Sequence, residues 1–283
     1  MPSGVSVVVA TRDRRQPLLD TLGRLTSLPE SPPVVVVDNA SHDGTVEAVR
    51  HRFPSVDVIA LDRNLGAAAR NVGVACAPTG LVAFSDDDSW WEPGALARSQ
   101  EILERRPTVA GAAARILLPG SGREDPVCEA MRQTPLASDG LPGPRVLGFL
   151  ACAAVVRREA FMAVGGFWPP LRIGAEEKLL AIDLAMAGWP LVYREDLVAY
   201  HRPAGRDPWA RRRQIARNEL WISWIRRPVA TAVGKTREMI GRGRSDAAVA
   251  AGVRRGLAGL PRVLGHRRVV APALESDLQL VGA

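Results

Sequence analysis

The sequence predicts an α/β protein built on a mostly parallel sheet, and three observations carry that expectation. Short β-branched or apolar runs alternate four times with helix-patterned stretches from Val5 to Ser85. A polar cluster directly follows the first, second and fourth of those runs. No GxGxxG follows the first run, and no GxxxxGK with Ser or Thr occurs anywhere, so neither a dinucleotide site nor a P-loop is expected.

Val5 to Ala10 is a β-branched run suited to a buried strand, and it ends in the polar loop Thr11-Arg12-Asp13-Arg14. Leu18, Leu22 and Leu25 follow at helical spacing, until Pro32-Pro33 breaks the pattern. Val34 to Val37 is the second strand, running into Asp38-Asn39-Ala40-Ser41-His42-Asp43-Gly44, and Thr45 to Phe53 reads as a helix. Val56 to Leu61 is the third strand. Asn64-Leu65-Gly66 opens a helix through Cys76, with Arg70 and Asn71 near its start. Leu81 to Ser85 is the fourth strand and delivers Asp86, Asp87 and Asp88. Ligands of such sheets bind beyond the carboxyl ends of the strands, so these polar clusters are expected to form one site.

Three adjacent carboxylates repel one another and need a reason to sit at the end of a buried strand. Alternate side chains of an extended chain point the same way, so Asp86 and Asp88 are expected on one side and Asp87 on the other. Two oxygen ligands on one side suit Mg2+ or Mn2+, which fills its other positions with water and substrate phosphates. The plainer reading is a solvated acidic turn ahead of a helix starting near Pro93. Plainer readings stand for other residues too. Asp38 would then serve as a turn residue, Arg70 as a solvated helix charge, and Gly66 as relief of crowding at a helix start.

Hydrophobic residues make up 47% of the 283, ample for a packed core. No uncharged apolar run reaches the roughly 18 residues of a membrane span. Met1-Pro2-Ser3-Gly4 leads straight into the first strand, so no signal peptide is expected. Cys76, Cys128 and Cys152 are odd in number and far apart, and are expected as reduced core residues of a cytosolic protein. The net charge of +7 is unevenly placed: residues 202–283 hold 17 Arg or Lys against 6 Asp or Glu, and residues 1–201 hold 20 against 24. Mostly arginine, the basic excess implies no nucleic-acid partner.

In the second half, Val109 to Leu118 reads as a strand and Pro119 to Pro144 as a long loop rich in Gly, Pro and charge. Phe149 to Val156 reads as a strand of small and apolar residues. Gly165-Gly166-Phe167 leads to Glu176-Glu177 at the start of a helix carrying Leu179, Leu180, Ile182, Leu184 and Met186. Adjacent acids at a helix start are also what the macrodipole alone would favour. Tyr193 to His201 is strand-like. Trp209 to Trp224 read as one or more helices, and beyond Pro228 the chain is arginine- and alanine-rich helix.

Val5 to Arg14, Val34 to Thr45, Asn64-Leu65-Gly66 with Arg70-Asn71, Ser85 to Asp88 and Gly165 to Glu177 together resemble family 2 glycosyltransferases, from about Val5 to about Trp224. The resemblance implies a GT-A-type nucleotide-sugar-binding fold with a carboxylate motif of the DXD type, and an inverting transfer to an acceptor hydroxyl. It implies that Thr11, Arg12, Asp38, Asn39, Gly66, Arg70, Asp86 and Asp87 contact the nucleotide sugar. It places Asp88, Asp86 and His201 around Mg2+ or Mn2+, with the register inside the aspartate triplet left open. Glu177 takes the position of the family's usual catalytic Asp and Glu176 that of the Glu before it. Because successive helical residues differ by about 100° in direction, only one of the two is expected to face the acceptor, and motif position favours Glu177. Gln214 and Arg217 match part of the QxxRW pattern of processive synthases, but Asn218 replaces the Trp, which argues against processivity.

Residues 1–204 are accordingly expected to form the transferase domain, with a nucleotide-sugar half to about 118 and an acceptor half over 119–204. Residues 205–283 are expected as a basic, mainly helical extension that docks on the core, forms a homodimer interface or touches anionic lipid. The expected partners are a nucleoside-diphosphate sugar and a glycan, lipid-linked sugar or small natural product. The expected place is the cytoplasm or its membrane face. Two rival readings are a sugar-phosphate nucleotidyltransferase and a degenerate nucleotide-sugar-binding protein. Thr11 to Arg14 lacks the Gly-rich loop of the first, and the retained carboxylates argue against the second.

Overall fold

The protein is described here by a computed structural model covering residues 4–203, 205 and 207–282. Met1 to Ser3, on which the signal-peptide expectation rests, lie outside the described residues, as does Ala204 at the expected domain boundary.

The first half runs β1 (Val5–Thr11), α1 (Arg15–Leu25), β2 (Val34–Asp38), α2 (Thr45–Arg52), β3 (Asp57–Ala60), α3 (Ala69–Cys76) and β4 (Leu81–Asp86). The valine runs of β1 and β2 are buried almost throughout, because helices cover both faces. The chain continues through β5 (Ser89–Trp91), α4 (Ala95–Glu104), β6 (Gly111–Leu118), β7 (Arg123–Glu124), α5 (Pro126–Arg132), β8 (Arg145–Val146), β9 (Ala154–Arg157) and α6 (Arg158–Ala163). It closes with α7 (Glu176–Met186), β10 (Leu191–His201), α8 (Pro208–Arg226), α9 (Val229–Arg242), α10 (Ala247–Val263) and α11 (Pro272–Leu280).

One sheet joins the strands in the order β3-β2-β1-β4-β9-β6-β10-β5. Its first four strands are all parallel, as the alternation predicts. Beyond β4 the sheet is mixed: β9 runs antiparallel to both β4 and β6, and β5 antiparallel to β10. A four-residue turn joins β6 to β7, which forces antiparallel pairing there.

Three expectations need correction. The segment 119–144 is not one loop. It contains α5, whose start is set by Pro126 and by the Asp125 carboxylate accepting from Val127 N at 3.0 Å. Phe149 to Val156 is not all strand, since Ala151–Ala153 form a 3-10 turn before β9. Cys76 faces solvent at the end of α3, whereas Cys128 and Cys152 are buried.

Two apolar cores result. The larger lies between the sheet and its covering helices. The second gathers Leu171, Leu179 and Ile182 with residues of α8, α10 and α11, so the basic helices pack directly on α7. Two buried ion pairs fasten this layer. Arg226 donates to both Asp183 oxygens at 2.5 and 2.9 Å, and Arg227 to both Glu275 oxygens at 2.5 and 2.9 Å. No helix among the described residues is long and apolar enough to cross a membrane.

Burial alone would raise the Glu275 carboxyl, but hydrogen bonds from Arg227, Thr231 and Gln279 hold it below the ordinary range. Its contribution to stability is therefore present at neutral pH and lost as the pH falls through that lowered value. Glu275→Gln leaves Arg227 without its carboxylate and should lower unfolding free energy at neutral pH by about 3–5 kcal/mol in a urea titration. An unchanged urea midpoint would show that the pair fastens nothing.

Candidate active site

β2, β1 and β4 are neighbours in matched register, with Thr11 opposite Asp38 and Ala10 opposite Asp86. Three strand ends thus bring Asp38, Thr11 and the aspartate triplet to one edge. The triplet is held in shape by Ser89, whose hydroxyl accepts from Asp86 N at 2.7 Å and donates to the Cys152 carbonyl at 3.2 Å.

Asp86 and Asp88 line a cavity of about 1320 Å3 together with Arg70, Glu176, Glu177 and His201. Thr11, Arg12, Asp38, Asn39, Gly66 and Asp87 lie outside its walls. Asp87 is buried on the other side, accepting from Thr11 Oγ1 at 2.9 Å and Arg14 Nε at 2.6 Å. Burial pushes its pKa up to about 6, against the pull of Arg14 and with the charges of Asp86 and Asp88 adding to the rise. Arg14 also reaches Asp88, its Nη2 lying 2.8 Å from Oδ2. Sequence reasoning places Arg14 only in a polar loop; its bridge to two carboxylates depends on how β1 lies beside β4.

Arg70 is buried and forms an ion pair with Asp86. Burial lowers its pKa, but the charges of Asp86, Glu176 and Glu177 outweigh that and hold the guanidinium charged. Its Nε is buried without a hydrogen-bond partner among the described residues. His201 comes from the far side of the sheet. Pairing of β10 with β5 sets it opposite Ser89, with Nε2 3.4 Å from Asp88 Oδ1. Burial works to lower the imidazole's pKa, and the hydrogen bond and charge of Asp88 raise it overall. Ligand atoms of Asp86, Cys152 and His201 lie within 4.8 Å of one another. Burial raises the Cys152 thiol well above its ordinary pKa. The carboxylate oxygens are hard donors that fit Mg2+ or Mn2+, with the imidazole a borderline one beside them.

Glu176 and Glu177 start α7 after a turn with Arg172, Gly174 and Ala175 all at positive φ. Both line the cavity, against the expectation that Glu176 points elsewhere. The first turn of α7 packs so closely on Arg70 that both carboxyls feel its charge. Glu176 is 4% exposed and has one oxygen without a hydrogen-bond partner among the described residues. Glu177 is half-buried and accepts from Ala151 N at 3.4 Å. Burial raises both carboxyls, and the charge of Glu177 helps push Glu176 up to about 8.

The turn is clamped from α8. Asn218 donates to the carbonyls of Leu171, Ile173 and Gly174, Gln214 to Leu171 at 2.9 Å, and Arg217 to Pro170 and Leu171 at 3.0 Å each. The incomplete QxxRW pattern is therefore a brace for the loop ahead of the glutamates. Nothing in its one-dimensional spacing points to that role.

Asp38 is 2% exposed. Its Oδ2 accepts from Ser41 N at 2.9 Å, while Oδ1 is buried without a partner among the described residues. Asn39 accepts from Leu65 N at 2.9 Å and donates to the Gly66 carbonyl at 3.3 Å. Gly66 has φ +66°, and a Cβ there would lie 2.5 Å from the Arg172 carbonyl oxygen, so only glycine fits. Arg12 is exposed and pairs with Asp13 at 3.2 Å.

A family model described as glycosyl transferase family 2 matches residues 6–165. The N-acetylglucosaminyl-diphospho-decaprenol L-rhamnosyltransferase of Mycobacterium tuberculosis is 28% identical over 245 residues, covering 72% of this chain and 78% of its own. The fold is similar to that of the mannosyltransferase PcManGT from Pyrobaculum calidifontis, solved with GDP-Man and Mn2+. Its TM-score is 0.58 at 20% identity, over 100% of this chain and 86% of that one. It is also similar to S. aureus TarS 1-349 in complex with UDP, with TM-score 0.56 at 21% identity, over 87% and 72% of the two chains.

A carboxyl whose folded pKa is raised binds its proton more tightly in the native state, so it favours folding at low pH and costs stability as the pH rises. Ionisation of Glu176 should therefore lower stability as the pH rises toward 8. Glu176→Gln should flatten that fall in thermal unfolding scans. Parallel profiles for the two proteins would show that Glu176 is already ionised in the fold.

Proposed function

The chain belongs to glycosyl transferase family 2 and uses a nucleotide sugar, and from that premise we propose that it transfers the sugar with inversion to an acceptor hydroxyl at the cavity walled by Asp86, Asp88, Glu176 and Glu177. One observation carries the reading: carboxylates from two separate elements face one cavity, with the charged Arg70 between them. Family membership decides against a nucleotidyltransferase.

Asp86, Asp88 and His201 would hold the divalent cation, and Mn2+ in the mannosyltransferase structure supports that choice of ion. When bound, the ion would supply positive charge where the leaving diphosphate gathers negative charge. Arg70 adds a fixed cation beside it. Asp38 keeps an unpartnered buried oxygen for an N–H of the nucleotide base, with Thr11 and Asn39 fixing the strand end around it. Arg12 and Gly66 border the same edge, Arg12 exposed and paired with Asp13. Asp87 acts through Thr11 and Arg14 rather than by touching the sugar nucleotide.

Glu177 is the base. It is the less buried of the two glutamates and is oriented by Ala151 N–H. Its carboxylate takes the acceptor hydroxyl's proton as that oxygen bonds to the anomeric carbon and the bond to the diphosphate oxygen breaks. Burial raises both carboxyls, which strengthens Glu177 as a base. The decaprenol-diphosphate acceptor in the mycobacterial relative's name favours a lipid-linked sugar over a free glycan or small natural product. Residues 1–204 would carry the reaction and 205–283 the brace and basic surface, at the cytoplasmic face of a membrane.

With saturating donor, Glu177→Gln should keep nucleotide-sugar binding and lower turnover about 100-fold or more, the scale of a general base. Glu176→Gln should cost clearly less. Reversed losses would make Glu176 the base, and losses of only a few-fold in both would remove the glutamates from the mechanism.

A further inference from the structure

The cavity does not end at the carboxylates. It continues along α5, α8 and the end of α11, and its volume of about 1320 Å3 exceeds the roughly 300–1,000 Å3 of an ordinary small-ligand pocket. The lining of this further part includes apolar and cationic side chains. Ile173, Leu280 and Val281 stand at its wall although they are 44%, 62% and 36% exposed. Lys178, Arg211 and Arg213 stand there as cations, and among the described residues none of them forms an ion pair or side-chain hydrogen bond.

Among the described residues no acid of the same wall forms an ion pair with them. Asp125 and Asp207 are occupied as helix caps, accepting from Val127 N at 3.0 Å and Trp209 N at 2.9 Å. Glu219 comes close enough only to oppose the burial that lowers the Lys178 pKa. The guanidinium of Arg213 lies 4.7 Å from the Trp209 ring centre, and its Nε is buried without a partner. Lys178 and Arg213 are partly buried without a counter-charge, which favours an anion, and the exposed Arg211 stands beside them on α8. Arg211 lies one helical turn before Ile215 and two before Glu219, so one face of α8 runs along the cavity.

We propose that this part of the cavity is the acceptor subsite and takes an amphiphilic acceptor. Its phosphate or diphosphate lies against Lys178, Arg211 and Arg213, and its apolar chain leaves over Ile173, Leu280 and Val281. The inference rests on the glycosyltransferase reading and assigns residues to the acceptor that the reaction at the carboxylates does not use.

The test is calorimetric binding of farnesyl diphosphate to the full chain in EDTA, with farnesol and inorganic pyrophosphate as separate probes. Farnesyl diphosphate should bind at least about tenfold more tightly than either, and Lys178→Met with Arg213→Gln should weaken it about tenfold or more. Lys178→Arg should retain binding, and Mn2+-dependent nucleotide-sugar binding should be unchanged in every variant, which controls for folding. Undiminished farnesyl diphosphate binding in the double variant would overturn the anion site. Equal binding of farnesol would overturn it too, and equal binding of pyrophosphate would overturn the apolar path. Loss of these effects with nucleotide-sugar binding intact defeats this inference alone, whereas a wild type that binds no nucleotide sugar defeats the functional reading beneath it.

Discussion

Five carboxylates, Asp86, Asp87, Asp88, Glu176 and Glu177, crowd one end of the sheet, and the arrangement stands because Arg70 and Arg14 are threaded between them. Like charges this close in a partly buried site would otherwise take up protons or push apart. Two features answer that repulsion. The two arginines pair with the triplet, while burial and crowding raise Asp87 to about 6 and Glu176 to about 8. A site so poised gains from any further cation, which is the physical basis for placing a divalent ion and a diphosphate there.

The rest of the fold reads as support for that crowd. The parallel strands β1, β2 and β4 fix the spacing of Asp38, Thr11 and the triplet through backbone pairing alone. The antiparallel β10 carries His201 in from the opposite side. The α8 side chains Gln214, Arg217 and Asn218 hold the turn that presents the glutamates, and α8 is itself fastened through Arg226 to Asp183 on α7. The basic helices are therefore mechanically tied to the carboxylates, whatever surface they also present.

Local chemistry explains what was legible in the sequence. The valine runs of β1 and β2 announce buried strands, and three adjacent aspartates and two adjacent glutamates announce themselves because such crowding is costly without a purpose. Long-range chemistry explains what was not. Arg14 meets Asp87 and Asp88 across more than seventy residues of chain, and Asn218 meets the Ile173 carbonyl across 45. The approach of Cys152 to Asp86 likewise depends on the turn at Ala151–Ala153, hidden inside what reads as a strand. Helix α5 was obscured by the Gly, Pro and charge around it, though Asp125-Pro126 is a helix-start signal in hindsight.

The central claim is that the acidic strand end binds a divalent ion together with a nucleoside diphosphate, and Mn2+ electron paramagnetic resonance tests it without relying on turnover. In the presence of UDP or GDP, titration of the full chain should show Mn2+ binding that is lost in Asp86→Asn and Asp88→Asn proteins whose circular dichroism matches the wild type. Mn2+ bound equally by the wild type and both variants would contradict the account, because the ion would then sit elsewhere.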